Sequence, residues 1–464
     1  MNFKILGFLY FLISFFMFLL GGILILGVRI ELFSNFINSF QPEFFNSLFT
    51  IHGLIMIFGF IIPCFTGFYY CVIPNFFFLN NFIFFKIGFF SLFLLFLSNI
   101  FLILSFFLPF GNFSYGWTMY TPLSLQSSYN FDFLIFSVYF ISFSFIINSL
   151  NISLSILKFF NLPLIKMSIF LWTILISSYL TLIVIPIIFG LLTMVLFDKY
   201  FKTSFFNPIF LGDSIMYQHI FWFFGHPEVY IIILPSFGIA SQIISVFTKK
   251  KIFSYLSIIY ALISISIISL IVWGHHMFTS NISFLYSSFF MYCTMLISIP
   301  TGIKIFNWLY TIWRGFLFFE TPFLFIIGFL FFFLIGGLSG LMLSSIPLDF
   351  FYHGTYFIVA HFHYIMVSSS IFSIYSFWYY WSPLIFKIKF NNNFSKIHFW
   401  SSFFFLNFSF FPMHFLGFKG MPRRYINYLS EHIFFNRFIT FNSFFFGFSQ
   451  LFYFYFIFFP LLWF

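Results

Sequence analysis

Residues 214–246 read SIMYQHIFWFFGHPEVYIIILPSFGIASQIISV. The run holds a single acid, Glu228, and no Lys or Arg. It exceeds the roughly 20 apolar residues that cross a bilayer's hydrocarbon. In hydrocarbon every backbone N–H must be paired inside its own segment, so the run predicts a transmembrane α-helix. On that helix His226 and Tyr230 are i and i+4 and share one face. Glu228 lies between them in sequence and points away from both. Pro227 removes a backbone N–H, frees a carbonyl one turn earlier and bends the helix. A bent membrane helix with free carbonyls usually lines a cavity.

The rest of the chain has the same character. Its 464 residues are 62% hydrophobic and 6% charged, against about 25% charged in a soluble domain. Apolar runs predict about twelve spans, near 4–28, 46–74, 81–109, 131–157, 167–197, 214–246, 252–278, 284–312, 317–344, 350–381, 398–417 and 436–462. The fold class expected is an all-α integral membrane protein with twelve transmembrane helices, forming one domain over 1–464. The first apolar run continues to Leu26 without a small-residue cleavage site, so no cleaved signal is expected.

An even helix count puts both termini on one side. Lys158, Lys166, Lys249-Lys250-Lys251, Arg314, Lys387 and Lys389 fall in loops on that same side, which the positive-inside rule assigns to the matrix or cytoplasm. The net charge of +10 then reads as topology and contact with the lipid bilayer, with no need for nucleic acid. The 98 phenylalanines beside only Ala240, Ala261 and Ala360 point to an AT-biased genome, such as a mitochondrial one. Cys64, Cys71 and Cys293 lack CxxC spacing and a neighbouring His, and are expected to pack as apolar residues.

Ionisable residues inside spans are expensive and usually functional. The histidines fall at His52; His219 and His226; His275 and His276; His353, His361 and His363; and His398, His414 and His432. Several at helical positions, with few acids to compensate them, argue for metal. His361 and His363 are two apart, about 200° around a helix, so they face opposite ways and suit two different cofactors. His275 and His276, about 100° apart, converge on one metal only if the helix is locally distorted. Thr301 and Lys304, i and i+3, share a face. A buried Lys facing no carboxylate is hard to justify except by function. His219, His398, His414 and His432 read as interfacial or structural, and Trp378, Tyr379, Tyr380 and Trp381 as an interfacial aromatic belt.

Five stretches carry a resemblance: YQHIFWFFGHPEVY from Tyr217, VWGHHMFT from Val272, IPTGIKIFNW from Ile299, HGTYFIVAHFHY from His353 and FFPMHFLGFKGMPRRY from Phe410. Together, and in this order, they resemble subunit I of the haem–copper terminal oxidases, the cytochrome c oxidase type, from about residue 20 to about residue 430. The resemblance implies the twelve-helix subunit I arrangement and reduction of dioxygen to water. It implies that His52 and His363 bind a low-spin haem, His361 a high-spin haem, and His226, His275 and His276 one copper ion, with haem A expected. It implies that Tyr230 is joined covalently to a copper-ligand histidine and supplies an electron and a proton to O–O cleavage. Glu228 becomes an internal proton donor, since a desolvated carboxyl group can hold a proton and pass it on. Thr301 and Lys304 become a second proton path, Arg423 and Arg424 the propionate-binding pair, Arg29 a residue beside the low-spin haem's formyl group, and Trp222 a neighbour of the copper. Implied partners are subunit II with its dinuclear copper, subunit III, accessory subunits and cytochrome c. The implied location is the mitochondrial inner membrane, with proton pumping expected.

The chain departs from the pattern in three places. Asn75 to Leu79 runs into Asn80-Asn81 without the aspartate that opens the family's main proton-uptake path. Gly354 stands where the family has an aspartate after His353, so magnesium would be absent or held by His353 with other groups. The N-terminal and C-terminal extensions are short. The rivals are a quinol oxidase subunit I, which shares the catalytic core, a nitric oxide reductase, and, from a different class, a transporter or non-catalytic scaffold. The nitric oxide reductase family lacks the Glu228, Tyr230 and Lys304 set, and the intact histidines and the Arg423-Arg424 pair weigh against a transporter or scaffold.

Overall fold

The computed structural model describes residues 3–34, 39–77, 85–108, 115–127, 129–160, 163–388 and 390–461. Asn80, Asn81 and Lys389 lie outside them. The α-helices are α1 (Phe3–Glu31), α2 (Pro42–Leu54), α3 (Ile62–Phe76), α4 (Phe85–Phe107), α5 (Asn130–Phe159), α6 (Ile169–Tyr200), α7 (Ser214–Phe247), α8 (Tyr255–Ser269), α9 (Phe284–Leu296), α10 (Ser298–Ile312), α11 (Thr321–Ser344), α12 (Ile346–Tyr352), α13 (Tyr356–Phe362), α14 (Ser369–Phe386), α15 (Asn392–Phe418) and α16 (Ile433–Leu461). No strand occurs among the described residues, where β pairing is limited to an isolated bridge, Thr355 to Pro422.

Nine helices among the described residues are long and apolar enough to cross a membrane: Phe3–Glu31, Pro42–Pro74, Phe85–Phe107, Asn130–Phe159, Ile169–Tyr200, Ser214–Phe247, Phe284–Ile312, Thr321–Ser344 and Tyr356–Phe386. Length and hydropathy thus support nine of the twelve expected spans. Of the remainder, Tyr255–Ser269 is apolar but shorter. Asn392–Phe418 and Ile433–Leu461 are helical where expected but fall outside the nine.

The chain divides into two compact units, each assembled from three segments. The first is Met1–Ile25, Phe40–Leu234 and Ser266–Cys293; the second is Leu26–Ser39, Pro235–Ile265 and Thr294–Phe464. In the first, buried polar groups tie helices together where lipid offers no hydrophobic drive for association. Asn148 on α5 accepts from Ser91 on α4 at 2.6 Å and from Tyr70 on α3 at 2.8 Å, and its amide donates to Tyr10 on α1 at 3.0 Å. In the second, α11, α14 and α15 pack through rings such as Phe325, Phe332, Phe372 and Phe399.

Here the aromatic belt expected at 378–381 is corrected. Trp378 and Tyr379 are buried, because α14 packs against α11 and Tyr379 faces His398 of α15. Two π-helical turns interrupt the second and tenth expected spans: Ile55–Ile61, which starts three residues after His52, and His363–Ser368, which starts at a histidine. Such turns widen a helix locally and recur at functional sites.

Candidate functional site

In the first unit, α8 ends at Ser269 and residues 273–277 form a 3₁₀ turn. This is the local distortion that adjacent histidines need in order to converge. Gly274 makes the turn possible, since a Cβ there would lie 2.2 Å from the Phe290 ring. The ring centres of His275 and His276 are 4.2 Å apart, and His226 on α7 sits 4.6 Å from His275 and 5.6 Å from His276. One ligand nitrogen from each of the three lies within 4.8 Å of the others. The buried Nε2 of His226 has no hydrogen-bond partner. His226 Nδ1 lies 3.4 Å from His276 Nε2, and three imidazoles at this spacing fit a copper or zinc ion that keeps an open coordination position.

Tyr230 lies one turn beyond His226, ring centres 4.8 Å apart. Trp222 stacks flat on His276 at 3.9 Å and 10°. Its indole N–H donates to Tyr120, a residue that sequence reasoning missed and that no helical pattern marks. Gly225 clears space for the indole, as a Cβ there would stand 3.0 Å from Trp222 Cε3. Glu228 is buried on the same helix and neither carboxylate oxygen meets a hydrogen-bond donor. His219 accepts from the Trp273 N–H at 3.2 Å, in keeping with a structural role.

His52, also in the first unit, hydrogen-bonds through Nδ1 to the Gly21 carbonyl at 2.8 Å. In the second unit His361 Nδ1 meets the Gly336 carbonyl and the Ser339 hydroxyl, each at 3.0 Å, and His363 Nδ1 meets the Val359 carbonyl at 2.7 Å. A carbonyl can only accept, so in each ring Nδ1 carries the hydrogen and Nε2 keeps its lone pair for a metal. That is the donor chemistry a haem iron takes from an axial histidine, and all three residues fit it. The two neighbouring histidines face different surroundings. His361 packs on α11, where Gly340 leaves room for it (a Cβ would lie 2.8 Å from His361 Cε1), while His363 stacks on Phe410 of α15 at 4.3 Å.

Around α13 a tight pairing of loops sets the arginine pair. Tyr356 N donates to the Met421 carbonyl and Arg423 N to the Gly354 carbonyl, both at 3.0 Å. Gly354 adopts φ +74° and Arg424 φ +72°, backbone that glycine accepts readily and an arginine only under constraint. Arg29 is buried with no carboxylate beside it. Its Nη2 donates to the Asn436 carbonyl and side chain and to Thr440, and its Nε has no partner. His353 Nδ1 lies 3.1 Å from Asp349 Oδ2, so a carboxylate does stand beside this histidine, one turn earlier in the chain and not at 354.

Lys304 is 1% exposed, and its ammonium lies 3.2 Å from the centre of the Phe237 ring with no hydrogen-bond acceptor. A cation held on an aromatic face is attracted to the ring, yet the ammonium's donors are left unused. Thr301 turns its hydroxyl to the Ile297 carbonyl of its own helix at 2.8 Å. The two share α10 as expected, without a bond between them among those resolved.

Comparison with known proteins identifies the family. The family described as "Cytochrome C and Quinol oxidase polypeptide I" matches residues 5–449. Curated relatives named cytochrome c oxidase subunit 1 include one from Cereibacter sphaeroides, 39% identical over 424 residues (90% of this chain, 75% of the relative). One from Synechocystis is 41% identical over 424 residues (91% and 77%). One from the fungus Eremothecium gossypii is 38% identical over 451 residues (95% and 84%). A solved haem–copper terminal oxidase dimer shares the fold, with a TM-score of 0.81 at 18% identity over 99% of this chain and 84% of its own. On a match over nearly its whole length and relatives near 40% identical, the chain belongs to the cytochrome c and quinol oxidase polypeptide I family.

Proposed function

We propose that this protein is the catalytic subunit of a terminal respiratory oxidase that takes electrons from cytochrome c and reduces dioxygen to water. The observation that carries the reading is the convergence of His226, His275 and His276 with Tyr230 one turn away. His52 and His363 would hold a low-spin haem, His361 a high-spin haem, and the three-histidine cluster one copper. Bound there, the metals supply the redox couples that the side chains lack.

The chain's own residues do the rest. Tyr230 holds a transferable proton beside the cluster. Glu228, buried without a donor, carries protons toward it, and Lys304 and Thr301 serve a second uptake route. Arg423 and Arg424 bind haem propionates, and Arg29 takes a polar haem substituent through its unused Nε. Magnesium beside His353 would use Asp349 in place of the residue at 354, which manganese substitution read by EPR tests. We place the chain in the mitochondrial inner membrane as one catalytic domain over 1–464, with twelve spans and both termini on the matrix side. It works there with subunits II and III and accessory subunits, and with proton translocation.

Haem extraction from the purified complex tests the assignment. Two haem A and one copper in this subunit are expected; haem B or O moves the donor to quinol, and no haem refutes the ligand set. Lys304→Met should slow turnover by roughly a hundredfold or more while both haems stay bound, and unchanged turnover removes Lys304 from the proton route.

A further inference from the structure

Away from the metal site, two loops of the second unit pack together. Residues 248–254 follow the C-terminus of α7 and residues 313–320 follow that of α10. Lys250 Nζ donates to the Trp313 carbonyl at 2.6 Å, Phe253 N donates to Thr311 at 3.0 Å, and the Phe253 and Tyr310 rings lie 4.2 Å apart. A Cβ on Gly315 would come within 2.9 Å of Thr248 Cβ, so the loops fit closely. Together they carry Lys249, Lys250, Lys251 and Arg314 against one acid, Glu320.

Basic residues past a helix C-terminus are favoured by its exposed carbonyls, and Lys250 is used in that way. The others are not. Lys249, Lys251 and Arg314 are exposed, and Lys249 Nζ sits 4.8 Å over the Phe318 ring. Lys249 and Arg314 both adopt positive φ, 52° and 54°, where glycine would be less strained. The cations are flanked by exposed aromatics, Trp313 at 65% and Phe316 at 72%, the residue types that settle at the level of lipid head groups.

We propose that this loop pair binds the phosphate head group of an acidic phospholipid, with Arg314 and Lys251 as the charged contacts and Trp313 and Phe316 against the glycerol and upper acyl chain. The charge excess selects an anion. The guanidinium fork suits a phosphate, and the apolar rim suits a lipid better than a free ion. This rests on the membrane-spanning reading and not on the redox chemistry.

The test is the selectivity of the purified complex for spin-labelled phosphatidylglycerol over spin-labelled phosphatidylcholine, in phosphatidylcholine vesicles containing a minor share of phosphatidylglycerol. Lys251→Gln with Arg314→Gln should weaken retention of the acidic lipid by roughly tenfold or more, with an unchanged haem spectrum showing that the fold persists. Lys158→Gln with Lys166→Gln removes the same charge from other loops and should leave selectivity intact. Equal loss in the two double variants, or retention unaffected by the first, overturns the proposal. So does shielding of Lys251 from an amine reagent in the delipidated complex, which means a partner protein covers the patch.

Discussion

The two groups of histidines are held in different ways. His52, His361 and His363 each hold Nδ1 to a main-chain carbonyl, that of Gly21, Gly336 or Val359. The tautomer and ring direction are set by backbone, and each ring keeps its Nε2 lone pair for a metal. His226, His275 and His276 converge on one another between aromatic walls, with Trp222 stacked on His276 and Phe290 closed over the glycine before His275. In the cluster His226 turns Nδ1 to His276 Nε2 at 3.4 Å, and its own Nε2 has no hydrogen-bond partner.

The largest effect expected from this contrast is at the cluster. His275→Ala should abolish copper retention and dioxygen reduction while leaving the haem spectrum in place, a loss beyond the roughly hundredfold that follows when only an outer partner is removed. If dioxygen reduction survives, the three-histidine assignment fails. Next comes Gly340→Ala, which acts on a tethered ring by crowding it. The new Cβ would stand 2.8 Å from His361 Cε1, and the Nδ1 bonds to Gly336 and Ser339 keep the ring from moving aside. Overpacking of this kind costs about 1–3 kcal/mol, and a displaced His361 should show as a lowered yield of the high-spin haem signal. A normal signal would mean the tether is looser than its two bonds suggest.

These positions were not equally legible in the sequence. The candidate ligands could be read because histidines in hydrocarbon are rare and their spacing fixes their faces. The 200° between His361 and His363 became packing on α11 and on Phe410, and the adjacency of His275 and His276 required the distortion that the 3₁₀ turn supplies. The tethers of His361 and His52 could not be read, because a carbonyl carries no sequence signal. Gly336 stands 25 positions from His361 and Gly21 31 from His52, so only the fold brings them together. Tyr120 was hidden for the same reason, sitting outside the helices and meeting Trp222 from 102 positions away. The reading of 378–381 failed because an aromatic run near a helix end looks alike whether it faces head groups or, as with Trp378 and Tyr379, the interior.

Tyr120→Phe sharpens the comparison from the cluster side. It removes the acceptor for the Trp222 N–H and costs about 1–3 kcal/mol if that donor stays buried and unmet. If the stack places His276, copper affinity should fall by roughly tenfold, seen as faster loss to a chelator, with the low-spin haem spectrum unchanged. Retention at the wild-type rate would show that His226 and His275 suffice to orient the third ligand.

Ser339→Ala is the smallest of the four and probes redundancy in a tether. Ser339 Oγ donates to the Gly336 carbonyl and lies 3.0 Å from His361 Nδ1, while that same carbonyl lies 3.0 Å from Nδ1. Deleting the hydroxyl therefore removes one of two acceptors for a single N–H. It also frees the carbonyl from a competing donor, which strengthens the bond that remains. The net cost should stay within about 1 kcal/mol, and because Nδ1 still carries the hydrogen, the ligand character of Nε2 is preserved. The iron–histidine stretching frequency of the reduced enzyme should shift slightly, with high-spin haem content unchanged. A loss of haem as large as that of Gly340→Ala would mean that the hydroxyl, and not the main chain, holds His361, and the division between backbone-tethered and mutually placed histidines would no longer stand at this residue.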